Sequence, residues 1–229
     1  MKESSIRSYV RHQHRMTPGQ ARALETWWPV YGLKVEAGFI EFSGELILEI
    51  GFGMGQSLLS KAALHPEKNF IGVEVHRPGI GALLSLAAKQ RLTNIRVYND
   101  DINNVLKQCI KNETFSKIEI FFPDPWPKNR HRKRRLIQPE FIHLLHQKLK
   151  PAAQLHLATD CEDYARQMLI ILENNPGFIN CAGKGRYLPH RNGRATTKFE
   201  QRALSLGRPI RDLLFEKVVN FGGADEIVF

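Results

Sequence analysis

The chain is short of three things. It has only three cysteines in 229 residues, Cys109, Cys161 and Cys181, far apart and without paired spacing. That argues against a disulfide framework or a zinc site, and makes a reducing compartment, the cytoplasm, the expectation. It has no apolar run approaching the ~20 residues of a membrane span, and its first residues, MKESSIRSYVRHQHR, lack the apolar segment of a signal peptide. It is also short of acid, with 23 Asp and Glu against 33 Lys and Arg, a net charge of +10. Such an excess points to an anionic partner, nucleic acid before a membrane surface. His143 and His146 fit one helical face, but no carboxylate or cysteine stands at matching ligand spacing, so no metal is expected. There is no internal repeat, and no low-complexity tract apart from one basic run.

What is present is an alternation. With 42% hydrophobic residues the chain can bury a sizeable core. Residues 1–16 are polar and basic and read as an arm. Thr17 as N-cap and Pro18 at the first helical position start a helix. Pro29 disfavours helix at the residue before it, so this helix is expected to end near Trp27 and Trp28. From residue 45, short apolar runs alternate with helical patterns: ELILEIG then QSLLSKAALH, NFIGVEV then PGIGALLSLAAKQRL, NIRVYN then INNVLKQCI, KIEIFF then QPEFIHLLHQKLK, AQLHLAT then CEDYARQMLIILENN. Strands alternating with helices predict an α/β fold, a Rossmann-like doubly wound, mostly parallel sheet. The expected organisation is the arm, one domain over residues 17–219, and a tail, residues 220–229, to which no role attaches. Ligands of such sheets bind beyond the carboxyl ends of the strands, so the residues after each strand are the candidates.

After the first strand come Gly51, Gly53 and Gly55, spaced GxGxG, with Glu49 two residues before the first glycine. A dinucleotide fingerprint is spaced GxGxxG. A carboxylate so close would repel a pyrophosphate, and would suit a cationic ligand such as S-adenosyl-L-methionine. The other reading is a glycine-rich turn with no ligand. Glu74 ends the second strand, where such folds place a ribose-binding acid; it can accept ribose hydroxyls or be an ordinary strand-end acid. Asp101 ends the third strand and can meet an adenine amine or cap the helix from Ile102, while Asp100 reads as the plain cap.

After the fourth strand, Pro123-Asp124-Pro125 holds a carboxylate with few backbone options. Trp126 offers a flat face for a base, and Lys128–Arg135 carries six Lys or Arg in eight positions. A charge run alone can be a solvated surface or a localisation signal; beside a rigid carboxylate and an aromatic it reads as a nucleic-acid contact. Asp160, after the fifth strand, can recognise a base edge or cap the helix from Cys161. Residues 184–211 add eight Lys or Arg against one acid, Glu200.

Together, EIGFGMG, GVEVH, FFPDPWPKNRHRKRR, ATD at 158–160, TKFE at 197–200 and RSYVRHQHRMTPGQ at 7–20 closely resemble the bacterial tRNA (guanine-N7-)-methyltransferases, over roughly residues 7–219. The Phe-Pro-Asp-Pro-Trp loop with its basic run is the specific part; the glycine loop is not. His14 departs from the pattern, standing where that family has glycine in Arg-x-Gly-Arg. The resemblance implies a class I S-adenosyl-L-methionine-dependent methyltransferase fold, that cofactor, tRNA as partner, and N7 of a variable-loop guanosine as target. It implies that Glu49, Glu74 and Asp101, with Gly51, Gly53 and Gly55, bind the cofactor, and that Asp124 binds it too and is the catalytic residue. Lys128, Asp160, Thr197, Lys198, Phe199 and Glu200 would contact the guanosine. Arg130, His131, Arg132, Lys133, Arg134 and Arg135 would contact RNA. No metal and no membrane are expected from the composition, and the oligomeric state is left open between monomer and homodimer. Two rivals are weaker. An exocyclic-nitrogen methyltransferase would carry an (Asp/Asn)-Pro-Pro-aromatic loop, whereas Asp124-Pro125-Trp126-Pro127 has no adjacent prolines. A non-catalytic RNA-binding protein on this fold would not need Glu49, Glu74 and Asp101.

Overall fold

In the computed structural model of the chain, which describes residues 8–9, 15–39, 41–189, 194, 196 and 198–219, the first helix starts as the sequence predicts. The Thr17 hydroxyl accepts from the Gln20 N–H at 3.2 Å, and the Gln20 side chain accepts from the Thr17 N–H at 2.9 Å, a reciprocal capping box. This helix, α1 (Pro18–Tyr31), does not end at Trp28 but runs through Pro29. Proline removes one helical donor, yet the Gly32 N–H still reaches the Trp28 carbonyl. Tyr31 is buried and donates its hydroxyl to the Leu92 carbonyl at 3.0 Å. Tertiary packing therefore carries a last turn that local preference disfavours. Most of the N-terminal arm and the whole of the 220–229 tail lie outside the described residues.

The alternation read from residue 45 follows: β2 (Leu46–Ile50), α2 (Gln56–Leu64), β3 (Asn69–Val73), α3 (Arg77–Lys89), β4 (Ile95–Tyr98), α4 (Ile102–Gln108), β5 (Phe115–Phe121), a 3₁₀ helix (Asn129–Arg134), α5 (Pro139–Lys148), β6 (Leu149–Thr159) and α6 (Glu162–Glu173), with a short β1 (Gly32–Leu33) ahead of it. The sequence reading did not anticipate β7 (Phe178–Asn180), α7 (Lys198–Ser205) or β8 (Arg211–Lys217). The apolar signal of β8, Leu213-Leu214-Phe215, is a short run amid basic residues.

The strands form one sheet in the order β1-β4-β3-β2-β5-β6-β8-β7. The β1 to β6 pairings are parallel, and β8 runs antiparallel to both β6 and β7. One face is covered by α1, α2 and α3 around Leu58, Ile80 and Leu83; the other by α4, α5 and α6 around Val105, Leu145 and Tyr164. A strand buried on both faces has no polar side to show, which is why ELILEIG reads as a near-continuous apolar run.

Two charges interrupt that core. Glu49 in β2 and Glu119 in β5 are register partners on adjacent strands, and both are buried. Like charges placed so would drive the strands apart. Lys61 of α2 stands between them, 2.7 Å from Glu49 and also bonded to Glu119, which Lys117 approaches at 3.2 Å. Burial pushes the Glu49 carboxyl up, with Lys61 opposing. Against burial, the two carboxylates hold the Lys61 ammonium above its usual value, and Lys61 with Lys117 holds Glu119 below its own.

A second buried network fastens the antiparallel edge. Arg194 donates through Nε to Asp212 Oδ1 at 2.6 Å, and its Nη1 donates to Glu200 Oε2 at 2.6 Å. His156 of β6 meets the same Asp212 oxygen at 3.0 Å. Burial lowers the His156 imidazole below its ordinary range, although Asp212 pulls the other way. Against burial, Arg194 and His156 hold the Asp212 carboxyl low. In the unfolded chain a histidine takes its proton near pH ~6.5; in the fold His156 takes it only at lower pH. Between those values the unfolded state binds more protons, so stability falls as pH drops below about 6.5. The Asp212 contribution goes later, as pH falls through the carboxylate range. Melting of the wild type and of His156→Gln between pH 7 and 5 checks this: the variant should show the shallower decline, and parallel curves would remove His156 from the account.

Candidate active site

The carboxyl ends of β2, β3, β4 and β5 surround one cleft of about 460 Å³. Its first wall is the glycine loop. Gly51, Gly53 and Gly55 have φ of 72°, 58° and 78°, left-handed values that side chains rarely tolerate. The loop is gripped from β3: the Gly53 N–H donates to Glu74 Oε2 at 2.8 Å. Glu74 Oε1 accepts from the N–H groups of Val75 at 2.7 Å and His76 at 2.9 Å. From the third side α3 presses on the loop. A Cβ on Gly79 would lie 2.1 Å from the Gly53 carbonyl oxygen.

Glu49 lines the cleft as expected, and its Oε2 accepts from Lys61 at 2.7 Å. Both β4-end acids bond to residues of α4, Asp100 accepting from the Asn104 side-chain amide at 2.8 Å. Asp101 is the cap of α4, accepting from the Asn103 N–H at 2.8 Å and from the Asn103 side-chain amide. Asp100 lines the cleft, and Ile102 lines it next to that acid. The reason is geometric: the residue immediately before a helix has its side chain turned back to the first orphan donors.

The opposite wall is the turn after β5. Phe122 and Trp126 have positive φ, 53° and 41°, strained for bulky side chains, and they bracket Pro123-Asp124-Pro125. The Phe122 N–H donates to the Ala158 carbonyl of β6 at 2.8 Å. Asp124 is exposed and stands on the cleft wall with Phe121, Phe122 and Pro123. Ser8 and Tyr9 also line the cleft, and the Trp126 indole N–H donates to the Ser8 carbonyl at 3.0 Å. One face of the Trp126 ring, the aromatic expected to receive a base, is covered by the Arg134 guanidinium, 3.9 Å from the ring centre.

The basic run does not all face solvent. Lys128, Arg130 and Lys133 are exposed, and His131 sits edge-on to Trp126. Arg132 is half turned back, 2.9 Å from Asp163. Arg135 is only 2% exposed, with every guanidinium nitrogen engaged inside the protein. So Arg135 is not placed as an RNA contact, and Arg132 and Arg134 have inward partners: a run this dense can be accommodated only if some of its charges find acids or aromatic faces nearby. Asp160 does not cap α6, whose N-cap residue Cys161 has no side-chain cap bond; the Cys161 N–H donates to the Thr159 hydroxyl at 3.2 Å, and Asp160 pairs with Arg208 at 3.2 Å. Glu200 is buried against Arg194. Thr197 lies outside the described residues, as do the side chains of Lys198 and Phe199, whose backbone begins α7.

Sequence reading missed Lys61, Arg194 and the inward turn of Arg135. For Lys61 a signal existed: an acid inside each of two apolar strands demands a nearby cation. For Arg194, in a segment rich in arginine, there was none. Among the described residues no group of three or more His, Cys, Asp or Glu could hold a metal ion, and no helix is long and apolar enough to cross a membrane.

A family model described as a putative methyltransferase, Methyltransf_4, matches residues 43–213. A Hydrogenovibrio crunogenus protein named tRNA (guanine-N(7)-)-methyltransferase is 46% identical over 219 residues, covering 93% of this chain and 91% of that protein. A Stutzerimonas stutzeri protein of the same name is 47% identical over 220 residues, covering 93% and 92%. Among solved structures, the 16S rRNA methyltransferase KamB superposes with a TM-score of 0.57 at 13% identity, covering 91% of this chain and 97% of that one. A SAM-dependent methyltransferase from Aquifex aeolicus gives 0.53 at 16%, covering 87% and 98%. The two structures speak for the fold.

The contact between α3 and the glycine loop yields a test. Gly79→Ala should displace Gly53 and weaken S-adenosyl-L-methionine binding about tenfold or more, roughly 1.4 kcal/mol, as titration calorimetry would show. Unchanged affinity would mean that the loop does not cradle the ligand.

Proposed function

The chain belongs to the tRNA (guanine-N7-)-methyltransferase family, and on that premise we propose that its cleft uses S-adenosyl-L-methionine to methylate N7 of the variable-loop guanine of tRNA, giving 7-methylguanosine. The observation that carries the reading is the meeting, at one sheet edge, of a glycine loop gripped by Glu74 and a strained turn that presents Asp124.

The residues fit the cofactor. A cleft of about 460 Å³ lies in the range of small-molecule sites, ~300–1,000 Å³. Nothing stands within 4 Å of where a Cβ would lie on Gly51 or Gly53, so a ligand can approach that backbone. Glu74 accepts three backbone N–H groups; of roughly four lone-pair positions on a carboxylate, one on Oε2 remains for a ribose hydroxyl. Asp100, which lines the cleft, meets the adenine amine in place of Asp101. Glu49 shapes the end of the cleft through its bond to Lys61.

When bound, the cofactor supplies a methyl group on a sulfonium, open to in-line attack by guanine N7, an acceptor with a lone pair and no proton. No side chain has to remove a proton, so the protein contributes position and electrostatics. Asp124 orients the purine by accepting from N1–H and the exocyclic amine, and its charge favours the positive charge that methylation leaves on the ring. Arg130 and Lys133 contact phosphates. Lys128, Asp160, Thr197, Lys198 and Phe199 contact the guanosine. Glu200, buried on Arg194, serves from behind by fixing that arginine. A tRNA substrate supports a cytoplasmic location.

Incubation with methyl-labelled cofactor and unmodified tRNA, followed by digestion, tests the reaction. The label should appear in 7-methylguanosine; label on an exocyclic nitrogen would overturn the target assignment. Glu74→Ala should raise the cofactor KM before the tRNA KM, and movement of the tRNA KM alone would misplace Glu74. The logarithm of tRNA affinity should fall against that of salt with a slope of about −0.7 to −0.9 per neutralised phosphate. A slope worth only one or two phosphates would contradict tRNA binding through several cations of the basic run and of residues 184–211.

A further inference from the structure

The turn that presents Asp124 is poorly equipped to hold itself. Pro123, Pro125 and Pro127 have no backbone N–H to give. Phe122 and Trp126 sit at φ of 53° and 41°, a conformation that persists only where surrounding contacts over-determine it. The turn therefore depends on donors from outside, and one of them comes from the far end of the basic run.

Arg135 donates from Nε to the Pro125 carbonyl at 2.8 Å, the residue directly after Asp124. Its Nη1 donates to Gln167 Oε1 at 2.6 Å and its Nη2 to Asp163 Oδ2 at 2.6 Å, both on α6. Its guanidinium lies 4.8 Å from the centre of the Tyr164 ring. Here α6 is a fixed support, because its Tyr164, Met168 and Leu172 are fully buried in the core. A planar fork with donors at fixed angles can bind three acceptors at once; a lysine ammonium could not hold all three in this geometry. An arginine meant for phosphate would leave that fork in solvent, as Arg130 does.

We infer that Arg135 is a positioning residue for methyl transfer: it ties the Pro125 carbonyl to α6 and so sets the place of Asp124, and it does not contact RNA. This rests on the reading of Asp124 as the acting carboxylate. Displacement of a reacting group by about 1 Å can cost on the order of a hundredfold in rate, so the effect should fall on turnover and not on binding.

The test uses the full chain with tRNA and S-adenosyl-L-methionine. Arg135→Met should lower kcat about 10- to 100-fold, with both KM values and the salt slope of tRNA binding within about twofold of wild type. Arg135→Lys should recover part of the lost kcat, since its ammonium can still reach the Pro125 carbonyl. Leu145→Ala, a core truncation in α5, is the stability control: it should lower Tm and leave kcat intact below the transition. If Arg135→Met does not fold, Asp163→Asn replaces it; this half-exposed partner should still lower kcat with KM unchanged. A weaker tRNA affinity with the slope reduced by about one phosphate would make Arg135 an RNA contact and overturn the inference. A drop in Tm with normal kcat would make Arg135 merely structural and overturn it equally. Asp124→Ala in the same assay separates the two levels: normal turnover there would remove the underlying reading, whereas lost turnover there with normal kcat in Arg135→Met would remove only the inference.

Discussion

Parallel pairing of β2 with β5 is the constraint on which the site depends. Ile50 faces Ile120 across the ladder, so both strands release their chains at the same edge. One becomes a glycine loop whose Gly51 and Gly53 have open space where a Cβ would stand, the other a proline-locked turn with a carboxylate. Neither loop is a site alone. The pairing makes them opposite walls of one cleft, and β3 and β4 close it with Glu74 and Asp100. The pairing also sets a problem, because it places Glu49 against Glu119 in the core. Lys61 resolves it at the cost of desolvating an ammonium, which is why its removal should be felt both in the sheet and at the bottom of the cleft.

The second constraint is the neighbourhood of a carboxylate and a polycation. Asp124 must face a base while the cations a few residues later face phosphates. The structure separates them by folding the basic run as a 3₁₀ helix, with Lys128, Arg130 and Lys133 outward and Arg135 turned back beneath the turn. Asp163 of α6 accepts both Arg132 and Arg135 and is thereby held below the usual carboxylate range, the Arg135 hydrogen bond being the main cause. It therefore stays charged over the working pH range and keeps the fastening intact.

Most of the parallel half of the sheet was legible in the sequence because each strand there is buried on both faces and flanked by helical spacing. The antiparallel edge was not, since β8 is a short apolar stretch inside a basic segment and its partner β7 has three residues. At the site, residue type pointed to the loops that line the cleft but could not tell which of Asp100 and Asp101 caps α4, or an arginine in solvent from one facing a carbonyl. Those distinctions depend on where a helix begins and on which acceptors a proline-rich turn leaves open. Glu200 shows the same limit. Its place in TKFE resembles a substrate contact, yet its carboxylate closes a buried pair with Arg194.

The central claim is that one guanine is delivered to this edge with its N7 turned toward the cofactor. Dimethyl sulfate methylates guanine N7 wherever it is open to solvent. The most direct measurement is therefore the reactivity of tRNA bound to the protein with S-adenosylhomocysteine in the cleft, compared with tRNA alone. The account predicts strong protection of a single variable-loop guanine, and loss of that protection in high salt as the phosphates are released. Uniform weak protection along the backbone, or a reactive variable-loop N7 in the saturated complex, would contradict it.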